Sequence, residues 1–122
     1  MPEPVLSFAR RFQLWTYTVS HGQLLLRSPK APEHPERIDV LFKDVSLINL
    51  PTLLHDLRVE VAEDEAARER LAAAGAHALG TRRLYLLHGH NWSGHVLAGA
   101  VFHHVDDGEY YSPSALLPNF PP

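Results

Sequence analysis

The sequence predicts a β-rich α+β fold, an antiparallel rolled sheet or partly open barrel with one short helix. Three observations carry this reading. Apolar and polar residues alternate with period two in "QLWTYTV", "RIDVLFK" and "LRVEVA", as in strands that bury one face. Only "EDEAARERLAAAGAHALG" has the Ala, Glu, Arg and Leu content of a helix. Proline- or glycine-bearing segments separate these runs. A chain of 122 residues, 45% hydrophobic and 20% charged, has the size and composition of a single globular domain. That domain spans 1–122, with extended termini over about 1–11 and 113–122.

In chain order, "QLWTYTVSHGQLLLRSPK" reads as a hairpin. Trp15, Tyr17 and Val19 alternate with polar residues as core candidates, and His21-Gly22 supplies the turn, since glycine accepts positive φ at no steric cost. Leu24–Leu26 continues as a return strand covered on both faces. "SPKAPEHPER", with three prolines, is a loop. In "RIDVLFKDVSLINLP", Ile38, Val40 and Phe42 share a face opposite Asp39 and Lys43. The apolar set shifts phase beyond Asp44, which predicts a bulge or two short strands with a tight bend. "LRVEVA" is a strand with Arg58 and Glu60 outward. The helix that follows has an acidic first turn suited to its dipole and a thin apolar stripe, Ala67, Leu71, Ala74 and Ala78. A stripe this thin covers a sheet, and Gly75 ends the regular part. The last third returns to strands, "RRLYLLHGH" and "GHVLAGAVFHHV". A proline-punctuated tail follows, in which Leu116, Leu117 and Phe120 can pin the chain to the body or to a neighbouring chain.

The formal net charge is −3, and Arg10–Arg11 and Arg82–Arg83 are the only adjacent basic pairs, which argues against nucleic acid as a partner. Without cysteine, disulfides, thiolate metal sites and cysteine nucleophiles are excluded. No basic-then-apolar leader and no apolar run of bilayer length is present, so the expected setting is cytoplasmic, with no membrane partner. The segments "LWTYTVSHGQLLLRSP" and "RIDVLFKDVSLINLP", with an echo in "HVLAGAVFHHVDDGEYYSPSALL", resemble those of a family of small bacterial proteins without assigned function. That resemblance implies no activity.

The chemistry concentrates in "LYLLHGHNWSGH", where three of nine histidines fall within eight residues. If 84–90 and 95–103 pair around a loop at 91–94, His90 lies opposite His95 and His88 opposite Leu97. His88, His90 and His95 then share a face and could hold zinc or another divalent transition metal with an open position. Against this, no neighbouring carboxylate orients an imidazole, although a distant strand could supply Asp39, Asp56 or Glu109. The reading preferred here is a solvated or hydrogen-bonded rim without a cofactor. Glu60, Glu63, Asp64 and Glu65 read as a solvated helix start, and Asp106-Asp107-Gly108 as a turn. No nucleophile elbow or phosphate loop occurs. Trp92, at a hairpin tip between polar residues, has the character of a contact aromatic. The sequence therefore points to a small interaction domain without catalytic activity. Trp92, His88, His90 and His95 are its candidate binding residues, and its partner is a protein or a small molecule. Strands apolar on both faces, covered by one thin helix, predict a homo-oligomer, most simply a dimer. The alternative is a histidine-centred, metal-dependent hydrolytic enzyme.

Overall fold

The computed structural model describes residues 5–73, 75 and 80–117. Its elements are β1 (Leu6–Thr18), β2 (Gln23–Ser28), β3 (Arg37–Lys43), β4 (Leu47–Asn49), β5 (Leu53–Val61), α1 (Asp64–Ala73), β6 (Arg83–Gly89), β7 (Trp92–Ala98) and β8 (Ala100–Asp106). The strands join in one antiparallel eight-stranded sheet of order β4-β7-β6-β5-β1-β2-β3-β8, not closed into a barrel. The predicted β-rich rolled sheet with one helix is present.

The sheet rolls because its two ends are made by the same two passages of chain. β3 runs on into β4 through Asp44, and β7 into β8 through Gly99. The passages pair with one another from Arg37↔Asp106 to Lys43↔Ala100, and again from Leu47↔Leu97 to Asn49↔His95. Hydrogen bonds from Gly99 N to Lys43 O and from Ser46 N to Leu97 O carry the pairing through the corner. Asp44 turns the chain there with a φ of 56°, which a short polar side chain tolerates. This bend is the phase change visible in the sequence at that residue. "GHVLAGAVFHHV", one run in sequence, is divided at Gly99 for the same reason.

β1 is bent as well. It pairs with β5 over Leu6–Gln13 and with β2 over Gln13–Thr18, with irregularities between Phe8 and Arg11 and between Leu14 and Thr16. Residues 6–11, expected as an extended terminus, are therefore paired strand; residues 1–4 lie outside the described set. The irregularities re-aim side chains. Phe12 is buried inside, with Leu6, Phe8 and Leu14 packed against the same cluster, whereas Trp15 packs with Leu25 and Leu41 on the outer side. Tyr17 is 40% and Val19 83% exposed, so the period-two run does not place this trio in the main core. The hairpin turn is four residues long, Val19–Gly22, closing at Thr18↔Gln23 with Gly22 at φ 56°.

The interior of the roll holds Phe12, Leu24, Leu26, Val40, Phe42, Leu54, Leu57, Val59, Leu87 and Val96. Phe42 and Tyr85 meet there edge to face at 5.4 Å. Two covers lie outside. Helix α1 sets Ala67 and Leu71 on Leu84 and Leu97, and Gly75, at φ 79°, returns its N–H to Ala72 O just past the helix end. Ala74 and Ala78 lie outside the described residues.

The second cover is a strap, residues 107–117, lying over β2 and β3 with Leu116 and Leu117 against Leu25 and Leu41. Phe120 lies outside the described residues. Two buried arginines tie the strap down. Arg27 makes two hydrogen bonds to Asp39 (2.8 and 3.1 Å) and donates to Tyr110 O and Ser112 O. Arg37 makes two to Asp106 (2.9 and 3.0 Å) and donates to Glu109 O, Ser112 O and Pro113 O. Asp39, expected on a polar face, is 1% exposed. Fork geometry lets each guanidinium satisfy a carboxylate and several carbonyls together, which is what makes its burial tolerable.

Candidate functional site

The β6–β7 hairpin turns at His90-Asn91, closing at Gly89↔Trp92, with Asn91 at φ 61°. The loop expected at 91–94 is strand from Trp92 onward, because Asn91 supplies the left-handed residue two positions earlier. The register moves with it. His88 pairs with Ser93 and His95 with Leu86, in place of His88 with Leu97 and His95 with His90. His88 and His95 thus share the outer face as diagonal neighbours. His90 stays in the turn, its Nε2 3.3 Å from Asn91 Nδ2. Among the described residues no group of three His, Asp or Glu side chains is arranged to hold a metal ion.

The structure adds a carboxylate that the sequence placed elsewhere. β5 pairs with β6 through Arg58↔His88 and Glu60↔Leu86, so Glu60 lies diagonally from His88 on the same face. Its Oε1 is 3.4 Å from His88 Nε2 and accepts from Arg58 Nε at 3.1 Å. Glu60 is therefore a partly buried partner of His88, not part of a solvated helix start. Alternation in "LRVEV" marks Glu60 as outward, but only the β5–β6 pairing reveals what it meets.

His95 lies deeper, 6% exposed, opposite Asn49 of β4, and its Nδ1 has no partner among the described residues. Burial first, and then the charge of Arg70 on α1, hold its imidazole below the ordinary histidine pKa of 6.5. It is a neutral histidine at neutral pH. Trp92 packs against the interior cluster, and its indole N–H donates to His55 O at 2.9 Å. It passes over Gly89, where a Cβ would collide with the indole nitrogen and with the His55 and Asp56 carbonyl oxygens. The tip tryptophan is half-buried and anchored.

Of the four residues singled out, the structure brings His88 and His95 onto one face with Glu60 and Ser93, and places His90 and Trp92 at the hairpin end. This group sets the His88 imidazole 3.4 Å from the Glu60 carboxylate and presents Ser93 directly across the strand pair from it. No family model, no curated protein and no solved structure matches the chain.

Away from this face, the sheet ends in a strand that has one side unpaired among the described residues. Among the described residues β8 pairs only with β3, and Phe102 and Val105 on it are 46% and 41% exposed. Val101 and Phe102 also line a hollow of about 430 Å³ with Val5, Val61 and Tyr85, where β8 parts from β6. No helix among the described residues is long and apolar enough to cross a membrane.

Proposed function

We propose that the protein is a non-catalytic interaction domain that associates through strand β8, in the simplest case with a second copy of itself. The supporting observation is the side of β8 that no described residue pairs with, on a strand carrying exposed Phe102 and Val105. The two-sided apolar strands are covered within the chain by α1 and the strap, which leaves this edge as the surface for association. A free edge offers a row of backbone donors and acceptors, and monomeric proteins blunt such edges with lysine, proline or a covering segment. β8 contains neither lysine nor proline, and its one carboxylate, Asp106, is engaged by Arg37. The sequence "AVFHHVD" is also self-complementary. Antiparallel pairing about His103 sets Val101 against Val105 and Phe102 against His104, joining two copies through one isologous interface. A reducing cytoplasmic setting suits a chain without cysteine.

Light scattering at micromolar concentration should give twice the 13.7 kDa chain mass. Phe102→Glu and Val105→Lys should each give the single-chain mass while keeping the native circular dichroism spectrum. A native chain that scatters as 13.7 kDa refutes the reading.

A second reading, a histidine-centred hydrolase, draws on Ser93 directly opposite His88 with Glu60 3.4 Å behind it. That is the order nucleophile, base, carboxylate of acyl-transfer sites. Hydrolysis of an activated ester that disappears in Ser93→Ala and in His88→Ala would favour it over association.

A further inference from the structure

We propose that the hollow between β1, β5, the 28–36 loop and the strap is a binding site for a phosphomonoester. The hollow holds about 510 Å³, within the range of small-molecule sites, and Arg11, Lys30, His34 and His55 line it. Arg11 stands directly opposite His55 in the β1–β5 register, and both point outward because their neighbours Phe12 and Leu54 fill the interior. Arg10 is consumed as a clamp, donating to Ser28 Oγ at 3.1 Å and to Glu36 O at 2.7 Å, which pulls the proline-rich loop alongside β1. The loop is closed by paired backbone bonds between Ala31 and His34, so Lys30 and His34 are held and not trailing. Lys30 donates to Glu109 Oε1 at 2.8 Å and to Asp107 O at 3.2 Å, and Tyr110 of the strap forms the far wall.

Arg11, unlike Arg10, Arg27 and Arg37, makes no hydrogen bond or ion pair with any described residue. A guanidinium fork left unused beside an ammonium and two imidazoles is a donor set for an oxyanion, and it lies on a chain whose formal charge is −3. Two carboxylates stand at the site, Glu33 in its wall and Glu109 on Lys30, so it suits a compact dianion more than an extended polyanion. Phosphate supplies three acceptor oxygens and close to two charges at neutral pH. The ring of Tyr110 and the face of Pro29 leave an apolar wall for the organic part.

The test titrates the full chain with inorganic phosphate and with phenyl phosphate, followed by backbone amide shifts and by phosphorus line width. Saturable binding of phenyl phosphate, with shifts centred on Arg11, Lys30 and His55, is expected at roughly millimolar affinity or better and should weaken with added salt. Arg11→Ala should reduce the affinity by about tenfold or more, and His55→Ala should reduce it too, with melting temperature unchanged in the first because Arg11 holds nothing in place. Arg68→Ala on α1 should leave it intact. No binding at about ten millimolar, or binding indifferent to Arg11→Ala, overturns the proposal.

Discussion

His95 is the residue where solvation and structure conflict most. Its Nδ1 is buried without a partner among the described residues, and its charged form is disfavoured, first by burial and then by Arg70. Below pH 6.5 the unfolded chain binds a proton that the folded chain resists, so this contribution to stability is complete above 6.5 and declines as pH falls through it toward the lowered folded value. Urea unfolding of His95→Leu, compared with the native chain at about pH 7.5 and about pH 5.5, should show a smaller loss on acidification. At the higher pH the variant should match or exceed the native chain by about 1 kcal/mol, since it removes an unsatisfied nitrogen. Equal losses in both proteins would remove His95 as the cause. Gly89 is constrained differently. Any Cβ there meets the Trp92 indole and two backbone carbonyls, so Gly89→Ala must displace the tryptophan. A cost of about 1–3 kcal/mol and a shift in Trp92 fluorescence are expected, and an unperturbed melt and spectrum would contradict the packing described.

Between elements, the strap depends on charge where α1 depends on alanine and leucine. Arg27 and Asp39 are 0% and 1% exposed, so removing one partner strands the other. Arg27→Ala should cost about 3–5 kcal/mol and raise hydrogen exchange in residues 110–117 above that in β5. The apolar pair Arg27→Met with Asp39→Leu should recover much of the stability without restoring the bonds to Tyr110 O and Ser112 O. Exchange that rises equally in β5 and the strap would show that the arginine holds the whole sheet. Local pattern in the sequence reaches as far as single elements. Alternation located the β3 and β5 strands, a continuous apolar run after the glycine turn located β2, composition located α1, and the phase shift at Asp44 located the corner. The rest depended on partners far along the chain. Period two cannot say whether an outward arginine meets water or a buried aspartate twelve residues away, as Arg27 does. It cannot follow a run through the β1 irregularities that put Trp15 under the strap. At the hairpin, one asparagine with positive φ moved the turn, and with it every cross-strand partner of His88 and His95. Glu60 was invisible as the neighbour of His88 because the β5–β6 pairing that joins them spans distant segments of the chain.

For the molecule as a whole, the defining feature is that bent passages belong to both halves of the roll. Leu6 pairs with Val59, Arg37 with Asp106 and Leu47 with Leu97, so neither half can bury its apolar face before distant segments meet. Such topology predicts slow folding, on the order of milliseconds to seconds, in one cooperative step. The two tryptophans allow a direct check. Trp15 reports on the strap side, where it lies within 5.1 Å of Tyr110 and 5.0 Å of the Arg27 guanidinium carbon, while Trp92 reports on the β6–β7 hairpin. In Trp92→Phe the remaining fluorescence follows the first region, and in Trp15→Phe it follows the second. Within each variant the fluorescence midpoint in urea should coincide with the far-ultraviolet circular dichroism midpoint, because Phe12, Phe42 and Val96 belong to one interior shared by both regions. A strap that released first would give a Trp15 midpoint below the dichroism midpoint in the same protein. That outcome would make the strap a separate unit resting on a sheet that is stable without it, and the buried arginines would then serve the strap and not the fold.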